Sequence, residues 1–368
     1  MKVPMLSPYN GNYNIQTELK EAVSRVINSG QFICGKEVKE FELACSERLY
    51  INECIGVSSG TDALIASLIR FEIGPSDEVI VPSFTFFATA GAVARVGAKP
   101  IFADVQPDCF TISPYSLESL VTKKTKAIIP VHLFGQMADM PKIMKFAMSH
   151  NLLVIEDACQ AFGSDLDGFC AGSLGHVGCF SFFPSKNLGG FGDAGLISTQ
   201  SRRVASSLRQ IRNHGMSEQY QHLIVGGNFR MDEIQAALLK VKLKHLSNYE
   251  EHRRFNVQKY REALSASQFY TLPDEVRGKH VWNQFTIKMG SRIQRDNLKD
   301  FLSKNEISSA VYYPIPLHKQ KCFESNSYCP VSEALSDTVI SLPIAPEITD
   351  IQIDYTIEKL IEFERNNL

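Results

Sequence analysis

Apolar and polar positions follow two distinct rhythms along the first two-thirds of the chain. Helical spacing of apolar residues runs through 15–28 and again through 38–49. Short β-rich runs follow at 54–57, 78–81, 100–105, 126–133, 152–156, 178–183 and 195–199, each closing on a polar or glycine-containing loop. Stretches such as AIIPV and LLVIE are almost continuously apolar, which suits strands covered on both faces. Helical patterns separate them at 62–71, 85–96, 140–150 and 202–212. This alternation predicts an α/β fold with a mostly parallel seven-stranded sheet, in which ligands sit at the carboxyl ends of the strands.

The rhythm changes past Met231. Residues 231–264 read as one long connecting helix, and VWNQFTIKM, RDNLKDFLSKN, SSAVYYPI and IQIDYTIEKLIEFERN then read as strand, helix, strand and helix. The expected organisation is a large domain over 14–245 and a smaller C-terminal α/β domain over 246–368, with 1–13 packing against the smaller one.

Composition narrows the class without naming a chemistry. Lys+Arg 38 against Asp+Glu 40, with 44% hydrophobic residues, describes a globular chain able to bury a large core. A formal net charge of -2 gives no electrostatic reason to expect nucleic acid as a partner. No apolar run approaches the roughly 18 residues that span a bilayer, and the opening MKVPMLSPYN has no apolar signal core. The nine cysteines are scattered and form no CxxC pair. The expectation is a cytoplasmic protein with reduced thiols and no membrane partner.

Three segments could carry chemistry. Val57-Ser58-Ser59-Gly60-Thr61-Asp62 reads as strand, tight turn and helix start, where free N–H groups would suit a phosphate; a cap by Ser59 alone is the plain alternative. Asp157, in Glu156-Asp157-Ala158-Cys159-Gln160, falls at a strand end. There it could be a metal ligand, a base, the partner of a protonated ring nitrogen or a helix cap. Lys186 follows the aromatic run FSFF in a loop poor in charge, and a desolvated lysine can form a Schiff base with a carbonyl. Residues 190–195 fit G-x-G-x-x-G, but Gly195 leads into the strand-like LIST where the dinucleotide fingerprint needs a helix. No HExxH motif or zinc-like Cys/His spacing occurs, so no metal is expected.

Together these sites form what pyridoxal 5'-phosphate requires: an amine for the aldehyde, a carboxylate for the ring nitrogen and a phosphate cradle, with Phe86 after another strand end to cover the ring. The segments SSGTDAL, PSFTFFAT, GAKPIFADV, KAIIPVHLFGQ, VIEDACQAFG, SFFPSKNLGGFGDAG, GGNFRMDEIQAALL and YYPIPLHKQ resemble, in order, those of the DegT/DnrJ/StrS family of nucleotide-sugar aminotransferases, which have the fold type I of pyridoxal-phosphate enzymes.

The resemblance implies that Lys186 is the cofactor lysine and proton shuttle. Asp157 would pair with the pyridine nitrogen and Gln160 with the ring hydroxyl. Gly60, Thr61 and Ser181 would hold the phosphate, and Phe86 would stack on the ring. Asn228 would reach the phosphate in a neighbouring subunit, making a homodimer with shared sites. Arg230, Tyr313 and His318 would line the sugar and amino-donor side. Phe32 stands where a tyrosine is common, so a hydroxyl contact is absent there.

By the same resemblance the substrates would be L-glutamate and a keto nucleotide sugar. The keto group would be C3 of a UDP-linked 2-acetamido-3-oxo sugar or of a dTDP-3-oxo-6-deoxysugar, feeding surface-polysaccharide (lipopolysaccharide O-antigen) or antibiotic sugar synthesis. A C4 aminotransferase is the alternative, and a DNA-binding or sensory protein on the same fold the distant one.

Overall fold

The computed structural model describes residues 1–323 and 325–367, the side chain of Tyr9 excepted. Seven strands form the central sheet: β1 (Glu53–Val57), β2 (Glu78–Pro82), β3 (Lys99–Ala103), β4 (Thr125–Ile128), β5 (Leu153–Asp157), β8 (Val177–Ser181) and β9 (Gly195–Thr199). Two-residue strands β6 (Asp165–Leu166) and β7 (Phe169–Cys170) make a small ribbon between β5 and β8. The sheet order is β1-β9-β8-β5-β4-β2-β3. Neighbours from β8 to β3 pair in parallel, and β9 runs antiparallel to both β8 and β1. The strand that opens at Gly195 therefore takes the place where a dinucleotide fingerprint would need a helix.

Alternation along each strand feeds two separate cores, as expected of a sheet covered on both faces. Ile80, Ile128, Val154, Phe180 and Leu196 face one core, while Val79, Ala127, Ile155, Cys179 and Ile197 face the other. The run read as 126–133 stops at Ile128, because Pro130 has no N–H for the ladder and the chain re-pairs only at single positions.

The helices flanking these strands are α1 (Pro8–Gly11), α2 (Gln16–Ser29), α3 (Lys36–Leu49), α4 (Gly60–Arg70), α5 (Ala88–Arg95), α6 (Met140–Ser149) and α7 (Arg202–Ile211). A hairpin of β10 (Met216–Glu218) and β11 (Gln221–His222) follows α7.

Two readings of the later chain need correction. The single helix expected over 231–264 is two, α8 (Glu233–Lys244) and α9 (Leu246–Leu264), separated at His245 with φ -98° and ψ 0°. Ala237, Leu238 and Val241 of α8 pack with α2, whereas Val257, Tyr260 and Leu264 of α9 belong to a different core. One straight helix could not serve both. SSAVYYPI is not a strand: only Ala310 pairs, with Ser341, and residues 311–314 instead wall a cavity.

The C-terminal sheet is β12 (Phe285–Lys288) paired antiparallel with β13 (Val339–Leu342), the latter not foreseen. Helices α10 (Arg292–Lys304), α11 (Pro330–Thr338) and α12 (Asp350–Asn367) pack around it. Val3 lies in the same core as Trp282, Phe285, Leu298 and Leu360, and its N–H donates to the Glu306 carbonyl at 2.9 Å.

Candidate active site

The carboxyl ends of β1, β2, β5 and β8 converge on a cavity of about 680 Å³. Its wall includes Gly60, Thr61, Phe86, Asp157, Gln160, Ser181, Lys186 and Tyr313, drawn from five separate stretches of sequence. Asn228, Arg230 and His318 are outside that lining. Asn228 is exposed beside the β10–β11 hairpin, and Phe32 is likewise outside the wall. Arg230 donates from Nη1 to Asn213 Oδ1 at 2.8 Å, while its buried Nε has no partner among the described residues. His318 is 2% exposed, with Nδ1 2.5 Å from Ser83 Oγ and Nε2 3.1 Å from Glu333 Oε1.

An anion cradle opens at the start of α4. Ser59 caps the helix by accepting the Asp62 N–H at 3.0 Å, which leaves the N–H groups of Gly60 and Thr61 with no acceptor among the described residues. Ser181 Oγ accepts the Phe183 N–H at 3.3 Å, so its own O–H remains available to donate. Glycine is required at position 60, since a Cβ there would lie 2.7 Å from Cys159 Sγ and 2.8 Å from Ser181 Cβ. Gly195 is required for the same turn, as its Cβ would meet the Ser59 carbonyl carbon at 2.4 Å.

Asp157 ends β5 and is buried. Its Oδ2 accepts from Thr89 Oγ1 at 2.7 Å and its Oδ1 from the Cys159 N–H at 3.2 Å. Each oxygen keeps a further acceptor position, suited to the N–H of a protonated ring. Directly behind it, Glu156 is fully buried. It accepts from the N–H groups of Gly172, Leu174 and Gly175 and pairs with His132 Nε2 at 2.8 Å.

Gln160 has one possible orientation. Its Oε1 accepts the Phe134 N–H at 2.9 Å, so Nε2 donates to the Tyr313 hydroxyl at 3.0 Å. Burial holds the Tyr313 phenol above its usual range, so it stays protonated. Lys186 is half-buried on the cavity wall, and desolvation lowers its pKa, partly offset by Cys159 and Asp157. Desolvation of this kind favours the neutral, nucleophilic form of an amine.

The donor set fits pyridoxal 5'-phosphate at each end: free N–H and O–H donors for the phosphate, a carboxylate with spare acceptor positions for the ring nitrogen, an amine for the aldehyde. Phe86, 56% exposed, offers an open ring face beside them. Sequence reasoning did not single out Thr89, Cys159, Asn283 or Gln284. Thr89 ends the PSFTFFAT segment and sits one turn beyond Phe86, a helical spacing that could have flagged it. Asn283 and Gln284 carried no signal, since they arrive from far along the chain within a stretch read as strand.

A model of the DegT/DnrJ/EryC1/StrS aminotransferase family matches residues 13–361. The chain is 43% identical to a "Pleiotropic regulatory protein" of Geobacillus stearothermophilus, covering 100% of both chains. It is also 43% identical to a UDP-N-acetyl-3-dehydro-alpha-D-glucosamine 3-aminotransferase of Acidithiobacillus ferrooxidans, covering 92% of each. Among solved structures, DesV of S. venezuelae in complex with a ketimine intermediate superposes with a TM-score of 0.95 at 35% identity, covering 99% of this chain and 98% of that one.

Proposed function

The chain belongs to the DegT/DnrJ/EryC1/StrS aminotransferase family, and from that premise we propose that it moves an amino group from L-glutamate to C3 of a UDP-linked 2-acetamido-3-oxo sugar. The observation that carries the transfer chemistry is that Lys186 and Asp157 line one cavity together with the free N–H groups of Gly60 and Thr61. The choice of sugar is supported by the Acidithiobacillus relative, whose name specifies that reaction.

Pyridoxal 5'-phosphate, when bound, supplies the aldehyde that receives the amino group and the ring that draws off electrons. Gly60, Thr61 and Ser181 would bind its phosphate, Phe86 would lie on its ring, and Asp157 would keep a proton on its nitrogen. Gln160, already oriented by the Phe134 N–H, would approach from the side of the ring hydroxyl. Lys186 Nζ would take a proton from one carbon and return it at another, a role that the lowering of its pKa by burial favours. The narrow wall of residues 311–314 would shield these transfers from water.

A homodimer is part of the proposal. Asn228 lies beside a hairpin whose Tyr220, Leu223 and Val225 are 84%, 71% and 90% exposed, an apolar arm suited to a second copy. The DNA-binding or sensory alternative gains little from the regulatory name of the Geobacillus relative. Arg209 and Arg212, at the end of α7, are engaged by Glu53 at 2.9 Å and Glu42 at 2.5 Å rather than free for phosphates. No helix among the described residues is long and apolar enough to cross a membrane.

The test is incubation with glutamate and a panel of 3-oxo and 4-oxo sugars on UDP and dTDP, read by mass spectrometry of the amino sugar. Turnover of the UDP-linked 3-oxo compound is expected. Turnover of 4-oxo compounds alone would overturn the choice of C3.

A further inference from the structure

We propose that Asn187 and Asn283 form a positioning pair that sets where Lys186 sits in the cavity by tying its loop to the segment leading into β12. The inference rests on the reading of Lys186 given above. Asn187 directly follows Lys186, and both amides are buried, at 7% and 4% exposed. Asn187 Nδ2 donates to the Val281 carbonyl at 2.7 Å, and Asn283 Nδ2 donates to Asn187 Oδ1 at 2.8 Å. The orientation of both amides is forced. A carbonyl only accepts, so Asn187 must turn its nitrogen to Val281, and its oxygen then faces Asn283.

Among the described residues, these are the only hydrogen bonds made by any side chain of 182–190. The rest of that loop is held by its own backbone, through Lys186 N–H to Phe183 O at 2.8 Å and Gly190 N–H to Phe182 O at 2.7 Å, and by Phe182 and Leu188, which are buried in the core on either side of Lys186. Asn187 is the polar tie that fixes the loop laterally against the segment leading into β12. The segment it grips is stiff. Val281 N–H donates to Gly135 O at 3.1 Å and Asn283 N–H to Phe134 O at 2.8 Å. Trp282 lies flat on His280 with ring centroids 3.8 Å apart. A Cβ at Gly135, whose φ is +99°, would come within 2.9 Å of Val281 Cγ2, so the two segments are in close contact.

The chain of contacts then closes on the cofactor side. The same Phe134 whose carbonyl holds Asn283 donates its N–H to Gln160, which in turn donates to Tyr313. The lysine and the glutamine thus take their positions from one shared backbone segment. An amine displaced by a fraction of an ångström from its target loses reactivity without losing substrate affinity.

The experiment compares holoenzymes of the wild type, Asn187→Ala, Asn283→Ala, the double variant and the isosteric Asn283→Asp, which cannot donate to Asn187. Readouts are kcat and KM for each substrate and the pH titration of the visible band of the lysine-bound cofactor. Each single variant should lose about tenfold or more in kcat, with KM for the nucleotide sugar held within about twofold. The titration midpoint should move in every single variant. The double variant should be no worse than Asn187→Ala, since both changes break one link. Wild-type kcat and midpoint in Asn187→Ala and Asn283→Asp, even with a lower Tm, would overturn the pair, as would a double variant that loses the product of the two single effects. A wild-type protein with no band that borohydride can trap at Lys186 would instead overturn the reading beneath it.

Discussion

Thr89, in the first turn of α5, donates its hydroxyl proton to Asp157 at 2.7 Å, so the carboxylate that would face the ring nitrogen is oriented from a different strand–helix unit. Thr89→Val keeps the shape and removes the donor. A hydrogen bond to a charged group contributes about 1.5–3 kcal/mol, so cofactor affinity should fall about tenfold or more, with Thr89→Ser close to wild type. Titration of the apoenzyme with pyridoxal 5'-phosphate measures this; equal affinity in Thr89→Val would remove Thr89 from the site.

The cradle at Gly60 has no room for a methyl group. Gly60→Ala should cost about 1–3 kcal/mol of stability from overpacking against Cys159 and Ser181. It should also weaken phosphate binding. Adding Cys159→Ala relieves one of the two clashes and should recover part of the lost Tm.

Lys186→Ala should abolish turnover and leave borohydride no residue to trap at 186. Retained turnover would refute the assignment of the amine.

Burial lowers the pKa of Lys186 in the folded apoenzyme, so the folded state holds that proton less tightly than the unfolded chain. Below the folded-state pKa both states are protonated and the full desolvation cost is present. Stability then rises with pH through the window up to the ordinary lysine value of 10.5, as the folded state sheds its proton first. Lys186→Met should accordingly stabilise the apoenzyme most at low pH, with the advantage shrinking as pH rises through that window. Denaturant titrations of both forms at several pH values test this, and a constant difference would contradict it.

Glu156 accepts three backbone N–H groups and pairs with His132, all buried. Glu156→Gln turns an amide NH2 against some of those donors and should cost about 1–3 kcal/mol, the range for leaving a buried hydrogen-bonding group unsatisfied. A fall in Tm is expected, with the Asp157 end of β5 loosened. An unchanged Tm would mean that the loop 172–175 is held by other contacts.

Much of the fold could be read from pattern because the sheet is covered on both faces. Such strands must be short, apolar and bounded by loops, and Val79, Ile155 and Ile197 satisfy that locally. The turn at Gly60 and Lys186 could be singled out for a similar reason, since a glycine at a helix N-terminus and a lysine behind an aromatic strand are local features, whereas the lack of room at Gly60 is set by the distant Cys159 and Ser181. The break at His245 was not legible. Helical periodicity continues across it, and only the demand of two separate cores turns the chain. Nor could β13 or the cavity wall at 311–314 be foreseen, because VISL and VYYP carry similar apolar signals and only their partners tell them apart.

The order of residues by itself thus determined the parallel sheet and marked the turn at Gly60, Asp157 and Lys186 as candidates, all consequences of short-range spacing and side-chain chemistry, while their proposed roles came with the family resemblance. Tertiary structure alone decided that Thr89 aims Asp157, that Phe134 orients Gln160, and that Asn283 reaches Asn187 from 96 positions away. Hydrogen bonds of that kind depend on distances between elements, which no local pattern encodes.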